Sequence, residues 1–67
     1  MARRSTPERI DQAREDGIRN WLRDDRRVPN VDALLAAWAV EAATRGIGRL
    51  DGAYWDQARP WLAERTR

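Results

Sequence analysis

Apolar positions recur at helical intervals in three stretches of the chain, and no segment alternates apolar and polar long enough to predict a strand. The first stretch begins at Thr6-Pro7-Glu8, with Thr6 as N-cap, proline at the first helical position and an acid in the first turn. At about 100° per residue, Ile10, Ala13, Gly17, Trp21 and Val28 fall on one stripe, flanked by Ile18 and Leu22. Asp11, Glu15, Arg19, Arg23 and Arg26 cover the opposite side. The pattern predicts a helix over about 7–26, ended by Val28-Pro29, because the residue before a proline is biased out of the helical region.

Asn30 is a strong N-cap for a second helix over 31–45, with Gly46 placed to close it. Asp51 is the expected N-cap of a third, over 51–65. Leu50 before it and Trp55 within it are spaced as a hydrophobic staple. Pro60 removes a backbone hydrogen bond inside this helix, yet Tyr54, Ala58, Trp61 and Leu62 keep helical spacing across it. The expected fold is therefore all-α: a small three-helix bundle, its third helix kinked or broken at Pro60. Residues 1–5 read as a disordered basic tail, and 6–67 as a single domain.

Composition narrows the chemistry. With 67 residues, no Cys and no His, the chain can form no disulfide and lacks the usual zinc, haem and iron–sulfur ligands. No metal, cofactor or small-molecule substrate is expected. So small a domain needs a dense core or a partner, because it buries only about 60% of the surface its unfolded chain exposes. Trp21, Trp38 and Trp55 fall one per helix, with Trp61 and Tyr54 beside them, and supply that core. Without His or Cys, a base would have to be Asp or Glu and a nucleophile Ser, Thr or Tyr. Ser5 and Thr6 stand at the chain start, and Tyr54 belongs to the aromatic set. Glu15-Asp16 and Asp24-Asp25 are adjacent on a helix and diverge by about 100°. Gly46-Ile47-Gly48 has neither the lysine nor the preceding strand of a phosphate loop. No enzyme is expected. No apolar run approaches the ~20 residues of a membrane span, and the basic start lacks a signal peptide's apolar stretch, so a cytoplasmic protein is expected.

All basic residues are arginine, and the formal net charge is +2. The charge is interleaved, netting +2, −1 and +1 over 1–30, 31–45 and 46–67, whereas a dedicated nucleic-acid binder concentrates it. Candidate nucleic-acid contacts are Arg3, Arg4, Arg19, Arg23, Arg26 and Arg27, diluted by Glu15, Asp16 and Asp24. Read as a helix-turn-helix, the third helix would lead with Asp51 and Asp56 and no arginine, which repels phosphate.

The second helix departs from the rest. VDALLAAWAVEAAT holds only Asp32 and Glu41 as charges, in a chain that is 36% charged. Val31, Leu34, Leu35, Trp38 and Ala42 serve the core. The far face, expected to be polar, carries Ala33, Ala36, Ala37, Val40 and Thr44 instead. Arg14 is a second oddity, set within the first helix's apolar stripe. It is read either as a stem lying over Trp21 with its head in water, or as an interface anchor or one half of a buried ion pair. Gly17, on the same stripe, costs about 1 kcal/mol relative to alanine in a helix interior and calls for close helix approach there.

These features predict a non-catalytic protein–protein interaction module of small inhibitor, antitoxin, immunity or assembly-subunit type. It would dock through Ala33, Ala36, Ala37, Val40 and Thr44, with Arg14 in support, onto another protein or a second copy of itself. The alternatives are a small nucleic-acid-associated regulator using the scattered arginines, and an orphan or designed bundle without a partner. In layout (basic helix, proline turn, Ala-rich helix, capped third helix) the chain loosely resembles small helical antitoxins that inhibit Fic-type toxins. Their Ser/Thr-x-x-x-Glu-Gly/Asn motif is absent: Ser5 and Thr6 are followed four residues on by Arg9 and Ile10, and Thr44 by Gly48. The resemblance therefore assigns no residue a role.

Overall fold

The computed structural model describes residues 6–67, so the tail expected over 1–5 lies outside the described residues. Three α-helices follow in order: α1 (Pro7–Asn20), α2 (Val31–Thr44) and α3 (Ala53–Arg65). A π-helical turn over Trp21–Asp25 extends α1. Together they form a small all-α three-helix bundle.

The caps explain the boundaries. The Thr6 hydroxyl accepts from the Arg9 backbone N–H at 3.2 Å, with Pro7 as the first helical residue. The Asn30 side chain accepts from Ala33 N–H at 3.0 Å and starts α2. Gly46, at φ 73°, closes α2: its N–H donates to Ala43 O at 3.1 Å, and Ile47 N–H reaches back to Ala42 O at 2.9 Å. That pair of bonds is the Schellman closure, which favours a residue with no Cβ penalty in the left-handed region. α3 starts two residues later than expected: Gly52, not Asp51, stands at its N-cap, while the Asp51 carboxylate accepts from Ala53 N–H at 2.9 Å in the turn leading in.

α1 ends differently from expectation. Its last turn widens to π spacing, with Arg26 N–H donating to Trp21 O and Val28 N–H to Leu22 O. Arg27 at φ 58° then reverses the chain. A left-handed conformation at a non-glycine residue costs roughly 1–2 kcal/mol, which the turn into Val28-Pro29 must hold in place.

The core is built from all three helices: Ile18 and Leu22, then Leu35, Trp38 and Ala42, then Tyr54, Trp55, Ala58 and Leu62. Trp38 is fully enclosed, its ring 5.6 Å from both Tyr54 and Trp61, and Tyr54 in turn lies edge-on to Trp55 at 4.9 Å. Trp21 is half-buried at the margin.

The stripe expected on α1 needs correction. Ile10, Ala13 and Gly17 are exposed, and the inward face runs through Asp11, Glu15, Ile18 and Leu22. The face is turned by about one residue, roughly 100°. The reason is that Asp11 and Glu15, placed in water by their charge, face inward to meet an arginine from another part of the chain. Gly17 follows from the same rotation. Nothing lies within 4 Å of where its Cβ would stand, so no helix approaches it closely.

α3 runs as one element across Pro60, so the two-piece form does not occur. The proline still leaves the Asp56 carbonyl without its i+4 donor. Pro60→Ala should therefore stabilise the chain by about 1–2 kcal/mol, the helix-interior cost partly offset by a freer unfolded chain. A melting temperature raised by several degrees, with helical circular dichroism undiminished, is the expected result. No rise would mean that the packing around α3 depends on the proline ring.

No helix among the described residues is long and apolar enough to cross a membrane.

Candidate functional site

α2 presents its core side through Leu35, Trp38 and Ala42, with Val31 and Leu34 packed alongside. Ala33, Ala36, Ala37, Val40 and Thr44, on the other side, are all exposed. Val40 keeps 67% of its surface, more than Ile10 or Leu50, the other large exposed apolar residues among those described. The chain's other helices do not cover this face, and Ala39 and Ala43 extend it. At its ends sit two ion pairs, Asp32 with Arg19 at 2.6 Å and Arg45 with Glu41 at 2.8 Å.

Arg14 is placed away from that face. It is exposed and donates to the Gly52 carbonyl at 3.3 Å, on the α1/α3 side of the bundle. The expected cover for Trp21 comes from elsewhere: Arg59 stands 4.6 Å and Arg26 5.3 Å from its ring centre. Neither reading of Arg14 as a stem over Trp21 nor as half of a buried pair matches this placement, because the rotation of α1 carries it out of the core-facing stripe.

Among the described residues, Arg19, Arg23 and Arg26 of the candidate nucleic-acid set each have a local partner. Arg19 bonds Glu15 and Asp32, both at 2.6 Å, and these bonds, Glu15's first, raise its pKa further above the ordinary guanidinium value. Arg23 pairs with its neighbour Asp24 at 2.9 Å. Arg26 lies over Trp21, and Arg27 holds the left-handed turn. Arg3 and Arg4 lie outside the described residues.

The structure also shows a charged cluster that the hydrophobic pattern conceals. Arg49, from the loop before α3, forks onto Asp11 with its Nε at 3.0 and 3.1 Å from the two carboxylate oxygens, and its Nη2 donates to Glu15. The Trp55 indole Nε1 donates to the same Asp11 carboxylate at 2.8 Å. Through Glu15 and Arg19 the chain of bonds continues to Asp32 on α2. The Arg49 guanidinium also lies 5.0 Å from the Trp55 ring centre and 5.3 Å from that of Tyr54. Its bond to Asp11 holds that carboxyl below the ordinary carboxylate range, helped by the Trp55 bond and resisted by burial. The same bond, with Glu15 adding, raises the Arg49 pKa against its partial burial. One usable signal for this cluster was present: a core tryptophan needs an acceptor for its indole N–H, and Asp11 lies one helical row from Ile18 and Leu22.

Its carboxylates are fully engaged with cations, so the cluster reads as a clamp between the loop, α1 and α2. Among the described residues no group of acids is arranged to hold a metal ion. The Tyr54 side chain is buried in the aromatic core, and the Thr6 hydroxyl is engaged as the α1 cap. The fold thus defines a small three-helix protein in which, among the described residues, the outer face of α2 is apolar and uncovered. No protein-family model, curated protein or solved structure matches the chain.

Proposed function

We propose that this chain is a non-catalytic protein–protein interaction module of the cytoplasm, of the inhibitor, antitoxin, immunity or assembly-subunit kind, docking a partner helix on the outer face of α2. One observation carries the reading: Val40 stands 67% exposed amid Ala33, Ala36, Ala37 and Thr44, with only Asp32 and Glu41 charged in the whole helix. A helix of a free-standing bundle normally turns charged residues outward. Small side chains allow a facing helix to approach to an interaxial distance near 8 Å.

The stripe favours an antiparallel partner. Ala33, Ala37, Val40 and Thr44 are spaced identically from either end, so an antiparallel helix of this sequence sets Ala37 against Val40, Ala33 against Thr44, and Asp32 against Arg45. Large meets small and acid meets base. The chain's own α2 satisfies that geometry, as would a helix of similar pattern from another protein.

Ala37→Glu tests the reading. At an exposed helix position it should leave stability within about 0.5 kcal/mol of the parent. It should weaken partner capture, or self-association read from the concentration dependence of melting, by roughly tenfold or more. The partner arm is affinity capture from the source cell followed by mass spectrometry. If the variant leaves both capture and oligomeric state unchanged, the α2 face is not the docking surface.

A further inference from the structure

A different side of the molecule carries a cleft whose features the bundle itself does not explain. It runs along the α1/α3 boundary. Its floor is Gly17, Ile18 and Trp55, its walls are Arg14 and Arg59, and it encloses about 370 Å³. Across Arg14 and Trp55, which it shares, it meets a second hollow of about 190 Å³ whose lips are Ile10 and Leu50. Those two apolar side chains remain 45% and 53% exposed.

Three observations converge here. Glycine in the middle of α1 weakens the helix, yet no atom of the chain occupies the space above Gly17. The opening therefore serves no internal packing. Among the described residues Arg14 and Arg59, like Arg9, Arg26, Arg27 and Arg65, have no carboxylate within ion-pair distance, and these two border the same cleft. Arg14 makes one long bond to a carbonyl, and Arg59 rests on the Trp21 ring, so both guanidinium forks keep donors free. Finally, the adjoining hollow places the exposed side chains of Ile10 and Leu50 beside Arg14 and Trp55.

We propose that this cleft binds an acidic segment of a partner protein, one in which an apolar side chain sits next to carboxylates. The carboxylates take the forks of Arg14 and Arg59, which match their geometry, and the apolar group enters the hollow beside Trp55. Asp56 also borders the cleft. Its charge opposes a chain with an anion at every step, such as a nucleic-acid backbone, and is compatible with carboxylates spaced by apolar residues. The site is separate from the α2 face, so either reading can fail alone.

The test is selection of a displayed random-peptide library, about twelve residues long, on the immobilised full-length chain. Enriched peptides should pair Asp or Glu with Leu, Ile, Phe or Trp. Their affinity should fall roughly tenfold or more for the Arg14→Ala/Arg59→Ala double variant and remain unchanged for Ala37→Glu. Gly17→Gln guards against misfolding as the cause: it should raise the melting temperature by restoring helix propensity while cutting peptide affinity by a similar factor. Absence of enrichment, or peptides indifferent to Gly17→Gln, overturns the proposal. So does a single-stranded oligonucleotide that displaces the selected peptides and loses its own binding in the arginine variant.

Discussion

Trp38→Ala will leave the chain largely unfolded at room temperature. The indole is fully enclosed and touches aromatic rings from α3, while Arg45 lies over it from the end of α2. Emptying such a site costs about 3–5 kcal/mol through lost transfer energy and the cavity left behind. At roughly 0.05–0.15 kcal/mol per residue, a chain this small holds about 3–10 kcal/mol, so the loss is a large share of it and at the lower end all of it. Trp38 Nε1 is also buried with no hydrogen-bond partner, so its N–H adds nothing to balance the burial. Trp38→Phe, which keeps a ring and removes the orphan donor, should lose well under half as much. Circular dichroism and urea titration check both. A Trp38→Ala protein melting within a few degrees of its parent would contradict a core centred on this residue.

The second large effect is expected at Arg49. Arg49→Leu should destabilise the fold by about 2–3 kcal/mol at neutral pH, because it leaves the half-buried Asp11 carboxylate without its ion-pair partner and takes one of two cations from Glu15. The pH dependence gives the sharper readout. In the parent, the Asp11 carboxyl titrates below its ordinary value, with the Arg49 bond as the main cause. Its contribution is therefore fully present above the unfolded carboxylate value of about 3.9 and is lost as pH falls through the lower folded value. In the variant the main cause holding the Asp11 carboxyl down is gone while burial still acts on it, so its titration moves upward. The stability gap between parent and variant should be widest near neutrality and close below about pH 4. Urea unfolding across that range measures it. A constant gap would mean that Arg49 acts through packing on Tyr54 and Trp55 alone.

That cluster also marks where reading the sequence stops. Helices and caps were legible because their signals are local: Thr6, Asn30 and Gly46 each act within four or five residues. The core side of α2 was legible because Leu35, Trp38 and Ala42 have no polar competitor on their face. α1 offered two candidate faces. Apolar periodicity favours the one with a single charge, Arg14, and sets Asp11 and Glu15 outward. Their partner stands 38 and 34 residues away in a loop, a separation no local pattern reports. The exposure of the α2 face was anticipated from its residues. The cleft was hidden behind the misplaced α1 stripe, which gave Gly17 and Arg14 the wrong surroundings.

The π turn at Trp21–Asp25 has a consequence of its own. A π turn holds one residue more than the α-helical turn it replaces, and it arises as a single-residue insertion that the rest of a helix absorbs. Here the π turn lies between Ile18, the buried residue of α1, and the reversal at Arg27, and itself holds the buried Leu22. Loss of one residue from that stretch would convert the turn to ordinary α geometry and change where the chain exits, while Ile18 and everything before it keep their register. The link into α2 is thus a place of slack, where one residue of length can be traded against helix type ahead of α2.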